Sequence, residues 1–526
     1  MASVIKSPLM QSEQATSYSF LGGFMPKLFV KNFINIREAE IDMDKTLVVF
    51  IGETASGKSV LAKLIYLFQE LIGDFRQHIR HINAYPPEHL KTPGQELATV
   101  FRTQIARKFR EFFGDAKGFA KLNSHQQEIG TEEKKGEKEE THPSVPPPRE
   151  PNVDSDFEIV YHYTAESAIR LTLTDEKSLH IELPTVMDEV EDLCYNLLEK
   201  LKSIDLKQSD STETASDAPK ETDASSESDA QLNKNADQFH YILNMAIGMS
   251  KITEKLAGKH RDGLFIPADR NIAANYPDAL KRIFYGGIKS DLNTRAATRS
   301  RANLHLIARF LEKNEEFLDI FSTQNFRSLF DERIEEESRD VDKPMMEFLL
   351  KKISFILNGE YETTDKISQS RLFFHPAGES TTFLENASTG HQNLIRILQD
   401  AFMSMLYNEM IFRVIEEPEA HLHPTTQKHL MHIIALMRNY IDSQIVMTTH
   451  SPYLLAVLKN LLTAGRRSKK NPEAAAAMEA RVPKLCWLMP EDVEVYHLKD
   501  GRSHSIVQSK KKSILKNPLA DLLSDF

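Results

Sequence analysis

The chain has 526 residues, 41% of them hydrophobic and 27% charged, with a formal net charge of −11. A chain of this length can hold about two to four domains around a sizeable core, and its acid excess excludes a protein that coats nucleic acid indiscriminately. A local basic groove stays open, because two tracts carry much of the acid. No apolar run approaches the roughly 18–20 residues that span a bilayer. The N-terminal MASVIKSPLMQSEQATSYSF lacks the charged region and apolar core of a secretory signal. Cys194 and Cys486 make neither a disulfide framework nor a thiolate zinc site, which points to a reducing cytoplasm.

In chain order, LFVKNF (28–33), REAEIDM (37–43) and TLVVFI (46–51) read as strands, the last an apolar run typical of a buried strand. A helix is expected from about Gly57 through Leu71 and another over 97–114. The acid-rich tracts 123–156 and about 205–237 are nearly empty of aromatics and read as disordered insertions, since they bury too little apolar surface to offset the ordering entropy. Between them, 157–163, 168–174 and 178–183 alternate as an antiparallel meander. Helices follow at 186–202 and 239–257, then a short strand, GLFIPA (263–268), and a mostly helical stretch from 291 to 357. RLFFH (371–375), MIFRVI (410–415) and QIVMTT (444–449) read as strands, with helices over 390–408 and 424–440 and a further one opening at SPYLLAVL. KLCWLM (484–489) and VEVYHL (493–498) read as two closing strands. Strand–helix alternation at both ends of a helical middle implies an α/β fold with an inserted lobe.

TLVVFI runs into GETASGKS, Gly52 to Ser59, and a helix follows. This is G-x-x-x-x-G-K-[ST] in the strand–loop–helix setting that a phosphate loop needs. Gly52 and Gly57 permit a backbone turn over Glu53, Thr54, Ala55 and Ser56 that aims N–H groups at a phosphate. The helix start at Lys58, Ser59 and Val60 adds its positive dipole end. Lys58 would reach the β- and γ-phosphates and Ser59 would ligate Mg²⁺. Far downstream, IEEPEAHLHP (415–424) ends an apolar strand in paired acids. Alone it fits a metal cluster, an acid/base pair or half of a nucleotide site. Beside a phosphate loop, the strand end can place Glu416 near Ser59 and Mg²⁺, and Glu417 beside the γ-phosphate. Adjacent strand residues face opposite ways, so both serve one site only where the strand breaks, and Pro418 is such a break.

GETASGKS, STGHQN (388–393), IEEPEAHLHP and TTHSP (448–452), in that order, resemble the ABC-type ATPase core, whose relatives include the SMC and RecF families and the OLD-type ATPases of bacterial defence. The resemblance covers about 28–70 and 371–460. It implies an α/β, ABC-type P-loop ATPase core with an antiparallel β subdomain, an inserted helical lobe and disordered acidic insertions. The implied domains are 1–122, the half of the core with the phosphate loop; 123–156, an insertion; 157–204, meander and helix; 205–237, a second insertion; 238–370, the helical lobe; and 371–526, the other half of the core. STGHQN would be the signature, with Ser388 and the Gly390 backbone meeting the γ-phosphate of ATP held by a second copy. Glu416 would take the Mg²⁺ role, Glu417 would polarise the attacking water, and His450 would sense the γ-phosphate. Residues 419–423, from Glu419 through His421 to His423, would form the loop lining the dimer seam.

The signature lacks the usual leading Leu-Ser-Gly-Gly, and Glu416 stands where aspartate is commoner; Gln69 is either the glutamine that normally follows the first helix or, the reading favoured here, a residue on the helix surface. FIPADR (265–270) and PEDVEVYHLKDGRSHSIV (490–507) resemble elements of stand-alone defence ATPases, such as those of Septu and retron-linked systems. Arg270 would approach phosphate or a partner, or else form a structural ion pair. The resemblance implies ATP and Mg²⁺ as cofactors, a homodimer or higher oligomer, and hydrolysis that controls a separate effector, a nuclease, in anti-phage defence. A toxin-holding ATP scaffold and an SMC/RecF-like repair ATPase are the alternatives. Only 76 residues follow His450, too few for a nuclease domain of this chain's own. His429 and His432, three apart on a predicted helix, read as ordinary amphipathic residues together with His421 and His423, since no cysteine assists a zinc site. The Lys/Arg runs at 466–470 and 509–516 are candidates for nucleic-acid contact or plain solvated loops.

Overall fold

A computed structural model of the chain describes residues 26–84, 93–114, 157–173, 178–213, 224–271, 300–321, 323–336, 341–364, 369–374, 381–469, 476 and 478–507. The N-terminal strands are β1 (Lys27–Phe33), β2 (Ile36–Asp42) and β3 (Leu47–Gly52), followed by α1 (Lys58–Ala84) and α2 (Pro93–Phe113). β4 (Glu158–His162), β5 (Ala168–Leu173) and β6 (Leu179–Glu182) form the expected meander. Then come α3 (Met187–Glu213), α4 (Ala224–Ala257), β7 (Asp262–Ile266), α5 (Ser300–Phe321), α6 (Phe326–Glu335) and α7 (Lys343–Leu357). β8 (Gly359–Thr364), β9 (Gln369–Phe374) and β10 (Thr381–Phe383) make a separate antiparallel sheet. The chain continues through α8 (Thr389–Leu406), β11 (Ile411–Glu416), α9 (Pro424–Tyr440), β12 (Ser443–Thr449), α10 (Pro452–Ser468), β13 (Val493–Lys499) and β14 (Arg502–Ser505).

Among the described residues, eleven strands form one sheet in the order β6-β5-β4-β1-β2-β14-β13-β3-β12-β11-β7. From β13 to β7 the strands are parallel, and from β6 to β2 they are antiparallel. β14 is the hinge of this change: it pairs antiparallel with β13 and parallel with β2. The central strands are apolar on both sides because both sides are covered. Leu47, Val49 and Ile51 of β3 pack with α7–α10, while Val48 and Phe50 pack with α1 and α2. Arg413, in the middle of β11, is fully buried and forms a bidentate pair with Asp400 of α8 at 2.8 and 2.9 Å.

Several expectations are corrected. Residues 205–213 and 224–237, assigned by composition to a loop, are helical: they extend the packed segments of α3 and α4. Buried Val190, Cys194, Leu197, Met249, Ile252 and Leu256 supply the nucleus, and a helix propagates from a nucleus far more easily than it starts. The tract 123–156 lies outside the described residues. KLCWLM is not a strand. A short 3-10 turn at Lys484–Cys486 occupies it, and Asn439 Nδ2 donates to the Leu485 and Trp487 carbonyls, both at 2.9 Å, so these groups are satisfied without a ladder. β8, β10 and β14 have no counterpart in the sequence pattern.

α9 carries His429 and His432 against α7. His429 Nδ1 lies 3.2 Å from Lys352 Nζ, and its ring packs on Phe355. Burial, then Lys352, pushes His432 from its ordinary 6.5 down to about 3. The unfolded chain therefore takes up a proton below pH 6.5 that the folded chain refuses down to about pH 3, so stability is full above 6.5 and is lost progressively below it. By this linkage His432 alone removes about 2 kcal/mol near pH 5. His432→Leu is expected to narrow the gap in thermal stability between pH about 7.5 and about 5; an unchanged gap would contradict this assignment.

Candidate nucleotide site

The parallel register determines what meets at the sheet edge. Glu416 pairs with Thr448, and Thr448 with Phe50, so β11, β12 and β3 end side by side. The next step on each strand leads to Glu417, to Thr449 and His450, and to the phosphate loop at Gly52.

The loop has the conformation its glycines foretell. Gly52 and Gly57 have φ of 150° and 102°, and a Cβ would meet the Leu498 carbonyl oxygen at 2.5 Å on Gly52 and Ile36 Cδ1 at 2.1 Å on Gly57. Asn35, in the tight β1–β2 turn, donates to the Ala55 carbonyl and supports the loop from outside. Lys58 is 5% exposed, and its Nζ donates to the carbonyls of Gly52 at 3.0 Å and Glu53 at 2.7 Å. Burial lowers its pKa, opposed by the charges of Glu417 and Glu419.

Glu416, also buried, is raised by that burial and held back by Lys63, by the Ser59 hydroxyl and by the Ala268 amide. Ser59 therefore donates to the Glu416 carboxylate, bringing together the two residues expected at the metal. Among the described residues no cluster of three or more His, Cys, Asp and Glu could hold a metal alone. A hydroxyl beside a buried carboxylate nevertheless supplies the hard oxygen donors that Mg²⁺ takes together with phosphate oxygens and water.

Glu417 does not continue the strand. Its φ is 43°, in the left-handed region, and its N–H reaches the Thr448 carbonyl at 3.1 Å and hydroxyl at 3.2 Å. The turn brings Glu417 Oε1 within 3.5 Å of His450 Nε2, and both side chains are open to solvent. Glu419 braces the other side. It accepts from the Thr449 hydroxyl at 2.6 Å and from the His450 N–H at 2.8 Å. Ser451 then caps α10 and donates to Gln427 at 2.5 Å.

Ser388 and Gly390 belong to a neighbouring surface. Ser388 caps α8 and shares a 2.7 Å hydrogen bond with His391 Nδ1; since His391 Nε2 donates to the Leu357 carbonyl, the Ser388 hydroxyl is the donor. A Cβ on Gly390 would meet the His421 carbonyl oxygen at 2.9 Å, so the signature segment packs on the loop after the paired acids. His421 has a φ of 62°, and His423 caps α9 through Nδ1. Of its two readings Gln69 takes the one on the helix: it sits roughly 16 Å along α1 from the loop, at 1.5 Å per residue, and donates to the buried Tyr161 hydroxyl. Among the described residues Arg270 forms no structural ion pair, because its donors reach five backbone carbonyls and no carboxylate. Glu419, expected on the loop after the paired acids, also braces Thr449 and His450. Asn35 is a supporting residue that sequence reasoning missed, since it carried only the signal of a short polar break between two strands.

The family model described as AAA ATPase domain matches residues 25–455. The chain belongs to this family. An AAA ATPase domain binds and hydrolyses ATP in general, and this one is a mixed α/β P-loop core with an antiparallel sheet and helical insertions. Among curated proteins none matches. Solved structures similar to this ATPase include the Smc head bound to the C-winged helix domain of ScpA, 12% identical, covering 93% of this chain and 98% of that one at a TM-score of 0.36. The Smc head with an extended coiled coil bound to the C-terminal domain of ScpA, from Pyrococcus furiosus, is 13% identical over 96% and 99% at 0.32. The recombination mediator RecF with ATPrS is 8% identical over 92% and 98% at 0.28. At these scores the likenesses are loose and say nothing about what the ATPase acts on. Among the described residues no helix is long and apolar enough to cross a membrane.

Lys58→Ala removes the one cation bonded within the phosphate loop. ATP affinity is expected to fall by about 10–100-fold in a calorimetric titration, the worth of a charge-assisted hydrogen bond. Unchanged affinity would show that nucleotide binds elsewhere.

Proposed function

We propose that this ATPase binds Mg²⁺–ATP at the β3–β12–β11 edge and hydrolyses it, two copies clamping nucleotide head to tail in the ABC manner. The supporting observation is that Glu416 and Glu417, neighbours in sequence, take different surroundings at one strand end: Glu416 buried against Ser59, Glu417 turned out beside His450. Ser59 and Glu416 would hold Mg²⁺, which supplies charge neutralisation at the β- and γ-oxygens. Lys58 draws the γ-phosphoryl oxygens and stabilises charge that develops on them. Glu417 accepts a hydrogen bond from the attacking water and orients it in line, and His450 sets the carboxylate and contacts the γ-phosphoryl oxygens. The second copy's Ser388 segment closes the site from the far side, releasing its hydroxyl from His391 to do so.

The switch between clamped and open dimers would act on a separate effector. The sequence resemblance suggests a nuclease in anti-phage defence; DNA-stimulated, salt-sensitive turnover would instead mark a use like that of RecF or Smc heads.

Glu417→Gln keeps the shape and removes the base. Phosphate release is expected to drop by roughly 10²–10⁴-fold, the usual contribution of a general base, while ATP binding persists and dimers accumulate in chromatography with ATP. Full hydrolysis in this variant would refute the role given to Glu417, and slow release already in the unaltered chain would identify an ATP-held scaffold.

A further inference from the structure

Arg270 follows β7 at the edge of the parallel sheet and is 1% exposed. Its Nε donates to the Asn393 carbonyl at 2.9 Å, Nη1 to Pro267 at 3.1 Å and Glu416 at 2.9 Å, and Nη2 to Glu417 at 3.0 Å and Pro418 at 3.2 Å. Five acceptors exhaust the five N–H groups of a guanidinium. Burial lowers its pKa to about 10, with Glu419, Glu417 and Glu416 opposing the drop, so the group stays charged at neutral pH. As a stabilising device this arrangement is poor, since a buried cation is commonly matched by well-packed apolar side chains.

Its acceptors explain it better. Three are the successive carbonyls of 416–418, and a fourth is Asn393, the last residue of the STGHQN segment that begins α8. Glu417 carries a left-handed backbone, which is strained for a residue with a side chain and persists only where its surroundings enforce it. Thr448 holds the N–H of that turn and Arg270 holds its carbonyl. The guanidinium is planar and rigid, so a shift of α8 at Asn393 moves the plane that grips Glu417.

We propose that Arg270 is a positioning residue that holds Glu417 in its left-handed turn and carries the position of the signature helix to it. Contact of Ser388 with nucleotide on a second copy then aligns the water-orienting carboxylate, so hydrolysis waits for clamping. This rests on the roles proposed above for Glu417 and Ser388.

Arg270→Lys keeps the charge and leaves three donors for five carbonyls. In the full chain, kcat is expected to fall by roughly 10–100-fold, as when a reacting group is displaced by about an ångström, while ATP affinity and KM stay within about twofold. In single turnovers, Arg270→Lys added to Glu417→Gln is expected to cause no further loss, because Arg270 acts through that side chain. A folded Arg270→Lys with unaltered kcat, or losses that multiply in the double variant, would overturn the proposal. Full activity in Glu417→Gln alone would bring down the functional reading itself. If Arg270→Lys does not fold, hydrogen exchange of the native sequence decides. ATP should protect 416–420, and Ser388→Ala, an exposed change, should abolish that protection while leaving protection of 52–60. Equal protection of 416–420 in both chains would overturn the link.

Discussion

The left-handed turn at Glu417 is the constraint on which this site depends. On a regular strand, consecutive carboxylates point to opposite faces and only one can reach a ligand at the strand end. Breaking β11 after Glu416 with a backbone of φ 43° frees the second acid from that alternation. The break is held by partners distant in sequence: Thr448 on the neighbouring strand and Arg270 at the end of β7. Pro418, which cannot donate to a ladder, prevents β11 from resuming.

Around that turn, burial shifts charges in complementary directions. Lys58 is pushed toward its neutral form and Glu416 toward protonation, both by loss of water. Opposite charge favours the ionised form of each: the carboxylates of Glu417 and Glu419 do so for Lys58, and Lys63 does so for Glu416. Glu417 and His450 remain open to solvent, which the proposed contact of Glu417 with water requires.

The rest of the fold keeps these strand ends in register. Two apolar layers clamp the parallel strands, so that β3, β12 and β11 cannot slip by one residue without exchanging the side chains fitted to each layer. Among the few polar groups tolerated there, Arg413 is matched by Asp400 with bidentate geometry. His432 is tolerated by staying neutral, which ties stability to pH.

By itself the sequence determined the phosphate loop, the paired acids and the strand–helix order, because each depends on local chemistry: glycines where φ must be positive, a proline where pairing must stop, apolar runs where both faces are covered. It could not reveal β14 or the helical reach of α3 and α4, since a weak local pattern is overruled by pairing or by propagation from a packed nucleus. Nor could it separate a phosphate-seeking Arg270 from a structural one, or show that Gln69 faces Tyr161. Those outcomes rest on contacts between residues 92 to 148 positions apart, and only the tertiary structure decided them, because a hydrogen-bond donor takes whichever acceptors packing brings within reach.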